Sequence, residues 1–140
     1  VKMFKKIMAP VDLAHVERLG TALDCAADLA KHYRVPIVYV GVTSSAPSGL
    51  AHNPEEFGQK LGVFAAQEAA KHGLDASAHT SIAHDPTTEI YDALMRAIGE
   101  TGADLVVMAS HVPNVMDYIW PSNSGKLAEH AKCSVMVVRA

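Results

Sequence analysis

Short apolar runs alternate along this chain with stretches whose apolar residues recur every three or four positions. The runs at 7–11, 37–42, 105–109 and 135–138 are apolar on both faces, as in strands buried inside a parallel sheet. A fifth stretch at 76–82 alternates weakly and predicts an edge strand. Strands that alternate with amphipathic helices form a parallel sheet covered on both faces and joined by right-handed crossovers. We therefore predict a three-layer α/β domain with a five-stranded parallel sheet.

The predicted helices occupy the intervals between these strands. Apolar residues at helical spacing cover 19–33 and 57–72, and Gly73 is a suitable stop for the second helix. Asp85 and Pro86 begin a third helix, since Asp caps a helix and Pro is tolerated in its first turn; this helix ends near Gly102. A short fourth helix covers about 122–131. Residues 43–54 predict a long loop that covers or borders a site.

The two outer strands differ in polarity. Ser77, His79 and Ser81 share one face of the strand at 76–82, which predicts that this face is exposed to solvent. The last strand, from Val135 to Val138, is strongly apolar. An uncovered apolar edge is prone to pair with another strand, so we predict a homodimer formed through this strand.

Composition limits the remaining possibilities. The chain has 140 residues, 49% hydrophobic and 19% charged, which suits one packed domain. Its net charge of -3 and lack of a basic cluster argue against nucleic-acid binding. No apolar run is long enough to cross a membrane, and the stretch before Pro10 is too short for a signal peptide. Cys25 and Cys133 lie outside any CxxC spacing, so we expect two small buried apolar residues in a cytoplasmic protein.

The strand order locates a ligand site. Ligands of open parallel sheets bind outside the carboxyl ends of the strands, where the strand order reverses. We predict the order 3-2-1-4-5, which reverses between the first and fourth strands. Residues 10–12 and 109–111 should therefore lie side by side at the ligand cleft.

Several segments resemble the universal stress protein family. Residues 103–139 resemble its C-terminal half: an Asp-Leu-Val-Val-Met strand, a Ser-His turn, a Ser-containing turn, a short helix, and a final His-Ala-x-Cys-x-Val-x-Val-Val-Arg strand. Residues 6–12 are similar to its opening strand, and residues 84–86 to its Gly-Asp-Pro turn. The resemblance covers essentially the whole chain. It implies a dimeric domain, joined through the last strand, that binds an adenine nucleotide.

The phosphate-binding turn departs from the family pattern. Nucleotide-binding members carry Gly-x2-Gly-x9-Gly-(Ser/Thr), where this chain has Ala109, Val112 and Pro121. Val112 resists positive φ, and Pro121 has no N–H to offer a phosphate. Amides beyond Pro121 remain available, because proline is tolerated at the first helical position. Phosphate binding by this turn is therefore expected to be weakened.

The resemblance implies a specific set of binding residues for ATP or another adenine nucleotide, with or without magnesium. Pro10, Val11 and Val42 would wall the adenine, and Asp12 would face the ribose or a metal bridging the phosphates. Residues 108–112 and 122–124 would surround the ribose and phosphate. The set is Pro10, Val11, Asp12, Val42, Met108, Ala109, Ser110, His111, Val112, Ser122, Asn123 and Ser124.

Structural roles compete with several of these assignments. Asp12 is equally suited to cap the helix that follows the first strand. Val42 fits plain strand core better than an adenine wall. His111 can contact a phosphate or stabilise its turn. Tyr118 and Trp120 either close over the core or form an apolar patch for a protein partner.

The sequence gives little support for catalysis or for a metal centre. The eight histidines show neither an HxxxH nor an HExxH spacing, so most should face solvent and no metal site is predicted. There is no GxSxG motif and no P-loop lysine, and neighbours such as Ser110 and His111 usually point apart. We expect no enzyme, although slow hydrolysis of a bound nucleotide stays open.

Two functions remain. The first is a cytoplasmic, dimeric ATP-binding module that acts in stress adaptation. The second is a nucleotide-free module of the same fold whose altered turn binds a protein partner. Val112 and Pro121 are the residues on which the two hypotheses divide.

Overall fold

The computed structural model describes residues 3–47, 51–110 and 123–139. Its strands are β1 (Ile7–Pro10), β2 (Ile37–Thr43), β3 (Ala76–Ile82), β4 (Leu105–Ala109) and β5 (Ser134–Val138). Its α-helices are α1 (Gly20–Tyr33), α2 (Pro54–His72), α3 (Pro86–Thr101) and α4 (Asn123–His130). The strands form one parallel sheet in the order β3-β2-β1-β4-β5, with helices on both sides. The predicted fold class and strand order are confirmed.

The core is centred on the three inner strands. Every residue of β1 and residues 37–42 of β2 are buried, as expected for runs that are apolar on both faces. From one face of β2, Tyr39 meets Phe64 of α2 edge to face, with ring centroids 5.2 Å apart. The apolar residues of α3 recur at helical spacing: Ile90, Ala93, Leu94 and Ala97 are buried, and Ile98 is half-buried. The helical periodicity therefore identified the packed faces correctly.

The polar face of β3 is less exposed to solvent than the sequence predicts. Ser77 is exposed, but His79 is half-buried beside Glu100, with Nε2 3.3 Å from Oε1. Ser81 is buried, and its hydroxyl donates to the Ala93 carbonyl at 3.3 Å. The prediction of a solvent-exposed face was wrong because α3 packs over the end of this face. A buried hydroxyl is tolerated there because the helix offers it a carbonyl.

Helix ends follow local chemistry that periodicity does not detect. Helix α2 begins at Pro54, three residues before its apolar stripe, because the Asn53 side chain accepts a hydrogen bond from the Glu56 amide at 2.8 Å. It ends at Gly73, whose φ of 67° is the left-handed conformation that favours glycine. The early start shortens the predicted loop at 43–54, of which residues 48–50 lie outside the described residues.

The two cysteines are free thiols, but both are half-buried rather than buried as expected. Burial raises the pKa of the Cys25 and Cys133 thiols, so both stay protonated at neutral pH. The Cys25 Sγ lies 3.6 Å from Sδ of Met136 on β5. Within the described part of the chain, no helix is long and apolar enough to cross a membrane.

Gly41 is the point of closest approach between β2 and α2. A Cβ at this position would lie 2.7 Å from two ring atoms of Phe57 and 3.2 Å from the Leu61 side chain. Phe57 and Leu61 are buried, so neither can yield without disturbing the core.

We predict that Gly41→Ala lowers the free energy of unfolding by about 1–3 kcal/mol, the usual cost of overpacking. Gly62→Ala is the matched control, because a Cβ there meets no atom within 4 Å. It should raise stability by up to about 1 kcal/mol through helix propensity. Urea denaturation measures both variants, and equal stability of the two would contradict the packing argument.

Candidate functional site

The site lies where β1 and β4 stop pairing. The ladder between them ends at the pair Met8–Val106, whereas the ladder with β2 continues to Pro10–Val40. Odd-numbered amides of β1 point to β2, since Val11 N donates to the Val40 carbonyl at 2.8 Å. The next amide that would point to β4 belongs to Pro10, which has no hydrogen to donate. The two strands therefore lose their hydrogen bonds at the predicted reversal of strand order.

Beyond this point β4 is held by its other neighbour. The Ser110 amide donates to the Val138 carbonyl of β5 at 2.8 Å. Met108 is buried, while Ala109 and Ser110 are half-buried. The end of β4 is thus fixed by β5, and its side next to β1 is left without a backbone partner in the described ladder. Unpaired carboxyl ends of adjacent parallel strands are the usual place for a ligand in this architecture.

Asp12 lies directly after β1 and is 7% exposed. Its Oδ1 accepts from the Ala14 amide at 3.1 Å, and its Oδ2 lies 2.9 Å from Nδ1 of His15. The His15 amide donates to the Asp12 carbonyl at 3.0 Å. These bonds fix a 3-10 segment at Leu13–Arg18, which carries no apolar stripe for the sequence to reveal. The capping role weighed for Asp12 is therefore present in the structure.

His15 is the site residue that the sequence analysis did not single out. The available signal was the Asp-x-x-His spacing, which places a histidine one short turn after the aspartate. Of the described histidines, His15, His72 and His79 are half-buried, and the other four are exposed. Among the residues that the structure describes, no three His, Cys, Asp or Glu side chains are grouped to hold a metal ion.

The remaining predicted residues divide into three groups. Pro10, Val11 and Val42 are buried at the carboxyl ends of β1 and β2, so they line the same edge of the sheet as Asp12. Asn123 and Ser124 begin α4, and this helix packs on β5. The predictions for His111, Val112, Tyr118, Trp120, Pro121 and Ser122 lie outside the described residues.

Comparison with known proteins now gives the family. The model of the universal stress protein family matches residues 3–139. Universal stress protein G of Shigella flexneri is 26% identical over 148 residues, which cover 98% of this chain and 100% of that protein. The chain belongs to the universal stress protein family.

Solved structures agree with the fold. A universal stress protein from Burkholderia pseudomallei superposes with a TM-score of 0.71 at 23% identity, over 99% of this chain and 98% of that one. A universal stress protein in complex with cAMP gives a TM-score of 0.67 at 20% identity, with 96% and 97% covered. One from Archaeoglobus fulgidus in complex with dAMP gives 0.64 at 20% identity, with 96% and 98% covered. At these identities the likeness establishes the architecture.

We predict that Asp12→Ala lowers the free energy of unfolding by about 1–2 kcal/mol, because the Ala14 amide and the His15 imidazole both lose their acceptor. Asp12→Asn should cost less, since its amide oxygen still accepts from Ala14. Urea denaturation of both variants at pH 7.5 measures the difference. Identical losses would show that the carboxylate does not hold this turn together.

Proposed function

We propose that this protein is a cytoplasmic, dimeric adenine-nucleotide-binding module that acts in stress adaptation and has no catalytic role. The observation that carries the proposal is the end of the β1–β4 ladder at Met8–Val106, with Pro10 and the buried Asp12 just beyond it. An open parallel sheet accepts a ligand at this edge. Free thiols at Cys25 and Cys133 suit a reducing compartment.

The residues around the opening suit an adenine nucleotide. As the family resemblance implies, Pro10, Val11 and Val42 would wall the purine, and Asp12 would face the ribose. Residues 108–112 and 122–124 would surround the ribose and phosphate, with the start of α4 supplying backbone amides. The complexes of similar structures with cAMP and dAMP support this class of ligand.

A second candidate is a nucleotide-free module of the same fold that binds a protein partner. It is favoured by the sequence of the phosphate turn, where Val112 and Pro121 replace the residues that give amides their closest approach to a phosphate. The two candidates predict opposite results in one titration.

Calorimetric titration of nucleotide-stripped protein tests the choice. We predict saturable binding of AMP or ATP and a rise in melting temperature, because binding to the native state alone stabilises it. Absence of both effects at millimolar nucleotide would reject nucleotide binding. The double variant Val112→Gly and Pro121→Gly should bind more tightly than wild type, since it restores the flexibility and the N–H of the turn.

Dimer formation is proposed through β5, from Val135 to Val138. This strand is an edge of the sheet, as predicted, and two of its side chains, Met136 and Val137, are 40% and 37% exposed. An exposed apolar edge is stabilised when a second copy pairs with it. Edge strand β3 carries polar residues at four of its seven positions and one large apolar residue, Ile82, and so suits solvent better.

We predict that Val137→Lys shifts the protein to monomer in analytical ultracentrifugation, because a charge on the edge strand opposes pairing. Ile82→Lys is the matched control: Ile82 is 52% exposed on the opposite edge of the sheet. That variant should sediment as wild type. Monomeric wild type, or equal dissociation of both variants, would contradict a dimer through β5.

A further inference from the structure

A second cleft lies at the amino end of the sheet, where β4 and β5 begin. This amino-end cleft is bounded by residues within 3–4, 95–104 and 130–134, and its volume is about 770 Å³. That size is within the range of small-molecule sites in proteins. Asp104 and Ser134, at the starts of β4 and β5, line the cleft, whereas Pro10 and Asp12 lie at the opposite end of the sheet. The two sites are therefore separate.

The walls of the amino-end cleft are largely apolar. Phe4, Met95 and Ile98 are half-buried, and Met3 at the rim is 71% exposed. Phe4 is held by Tyr33 of α1, with ring centroids 5.4 Å apart in edge-to-face geometry. Methionine side chains are flexible and adapt to irregular apolar partners. A ligand with an apolar body would remove this surface from water.

Two glycines leave the α3 side of the cleft open. A Cβ added at Gly99 or at Gly102 would meet no atom within 4 Å. From Met95 to Gly102 this wall is about 10 Å long, at a helical rise of about 1.5 Å per residue. That length suits a medium-chain alkyl group better than a long-chain one.

Lys132 gives the cleft a charged group that a ligand can meet. It is exposed and forms no ion pair with any residue that the structure describes. The carboxylate of Asp104 instead accepts hydrogen bonds from two backbone amides of the segment before β1, at 2.9 Å and 3.0 Å. His130 lies beside Glu129, with Nε2 4.0 Å from Oε2. The unpaired ammonium of Lys132 therefore favours an anionic ligand, and a carboxylate complements it.

We propose that the amino-end cleft binds a medium-chain monocarboxylate, with its alkyl chain against Phe4, Met95 and Ile98 and its carboxylate at Lys132. The apolar wall supplies affinity through burial of the chain, and the ammonium selects the charge of the head group. The proposal does not depend on nucleotide binding, because the cleft shares no residue with the site beside Asp12.

Calorimetric titration with octanoate at pH 7.5, where a carboxylic acid is ionised, tests the proposal. Wild type should bind one octanoate per chain and reach saturation at millimolar ligand. Octylamine has the same chain and the opposite charge, so it should bind about threefold or more weakly, the factor typical of an exposed ion pair. Absence of saturable octanoate binding, or octylamine binding as tightly as octanoate, would overturn the proposal.

Gly99→Leu places a side chain in the open part of the cleft. It should weaken octanoate binding by about tenfold or more, while the melting temperature should not fall, because leucine favours a helix more than glycine does. Gly62→Leu is the matched control: a Cβ at this α2 glycine also meets no atom within 4 Å, and the residue lies outside the cleft. It should bind octanoate as wild type. Undiminished binding by Gly99→Leu, or equal losses in both variants, would reject the cleft as the site.

Lys132→Gln tests the head group. Octanoate affinity should fall by about threefold to tenfold, the range expected for one charge-assisted contact near the surface. The affinity for octanol, which has the same chain without the charge, should stay as in wild type. Lys126→Gln is the control, since the Nζ of Lys126 lies 4.1 Å from the Tyr91 ring centroid, outside the cleft. Equal losses for octanoate and octanol, or the same loss in Lys126→Gln, would contradict carboxylate recognition by Lys132.

Discussion

The missing amide hydrogen of Pro10 is the constraint on which the site depends. It ends the ladder between β1 and β4 after Met8–Val106, while β2 continues to hold β1 from the other side. Because β4 is held in turn by β5, through the Ser110 amide, the two central strands are free of each other at their carboxyl ends. Within the described residues, the ladder between these two strands therefore stops before their carboxyl ends.

Asp12 follows this proline and carries the electrostatic character of the opening. A buried carboxylate is stable only when hydrogen bonds satisfy it, and the next three residues supply them. The Ala14 amide and the His15 imidazole do so, which fixes the turn. The same bonds anchor the carboxylate beside the carboxyl end of β1.

The sequence predicted the architecture well because its signals were strong and local. Alternating apolar runs and helical stripes gave the fold class, the strand order and the packed faces of α3. It predicted the end of α2 at Gly73, because glycine adopts the left-handed conformation at a helix end without steric strain. It failed at the face of β3 that carries Ser81, because cover by α3 is a tertiary fact. It also failed to find the 3-10 turn after β1, which has no periodicity.

The sequence by itself determined the family pattern, the strand order that brings the carboxyl ends of β1 and β4 side by side, and the candidate role of Asp12. Each follows from local composition or from topology that right-handed crossovers impose. Only the tertiary structure decided that Asp12 is buried and that Ser81 on β3 is covered by α3. Burial depends on how distant segments pack, and spacing along the chain does not encode that.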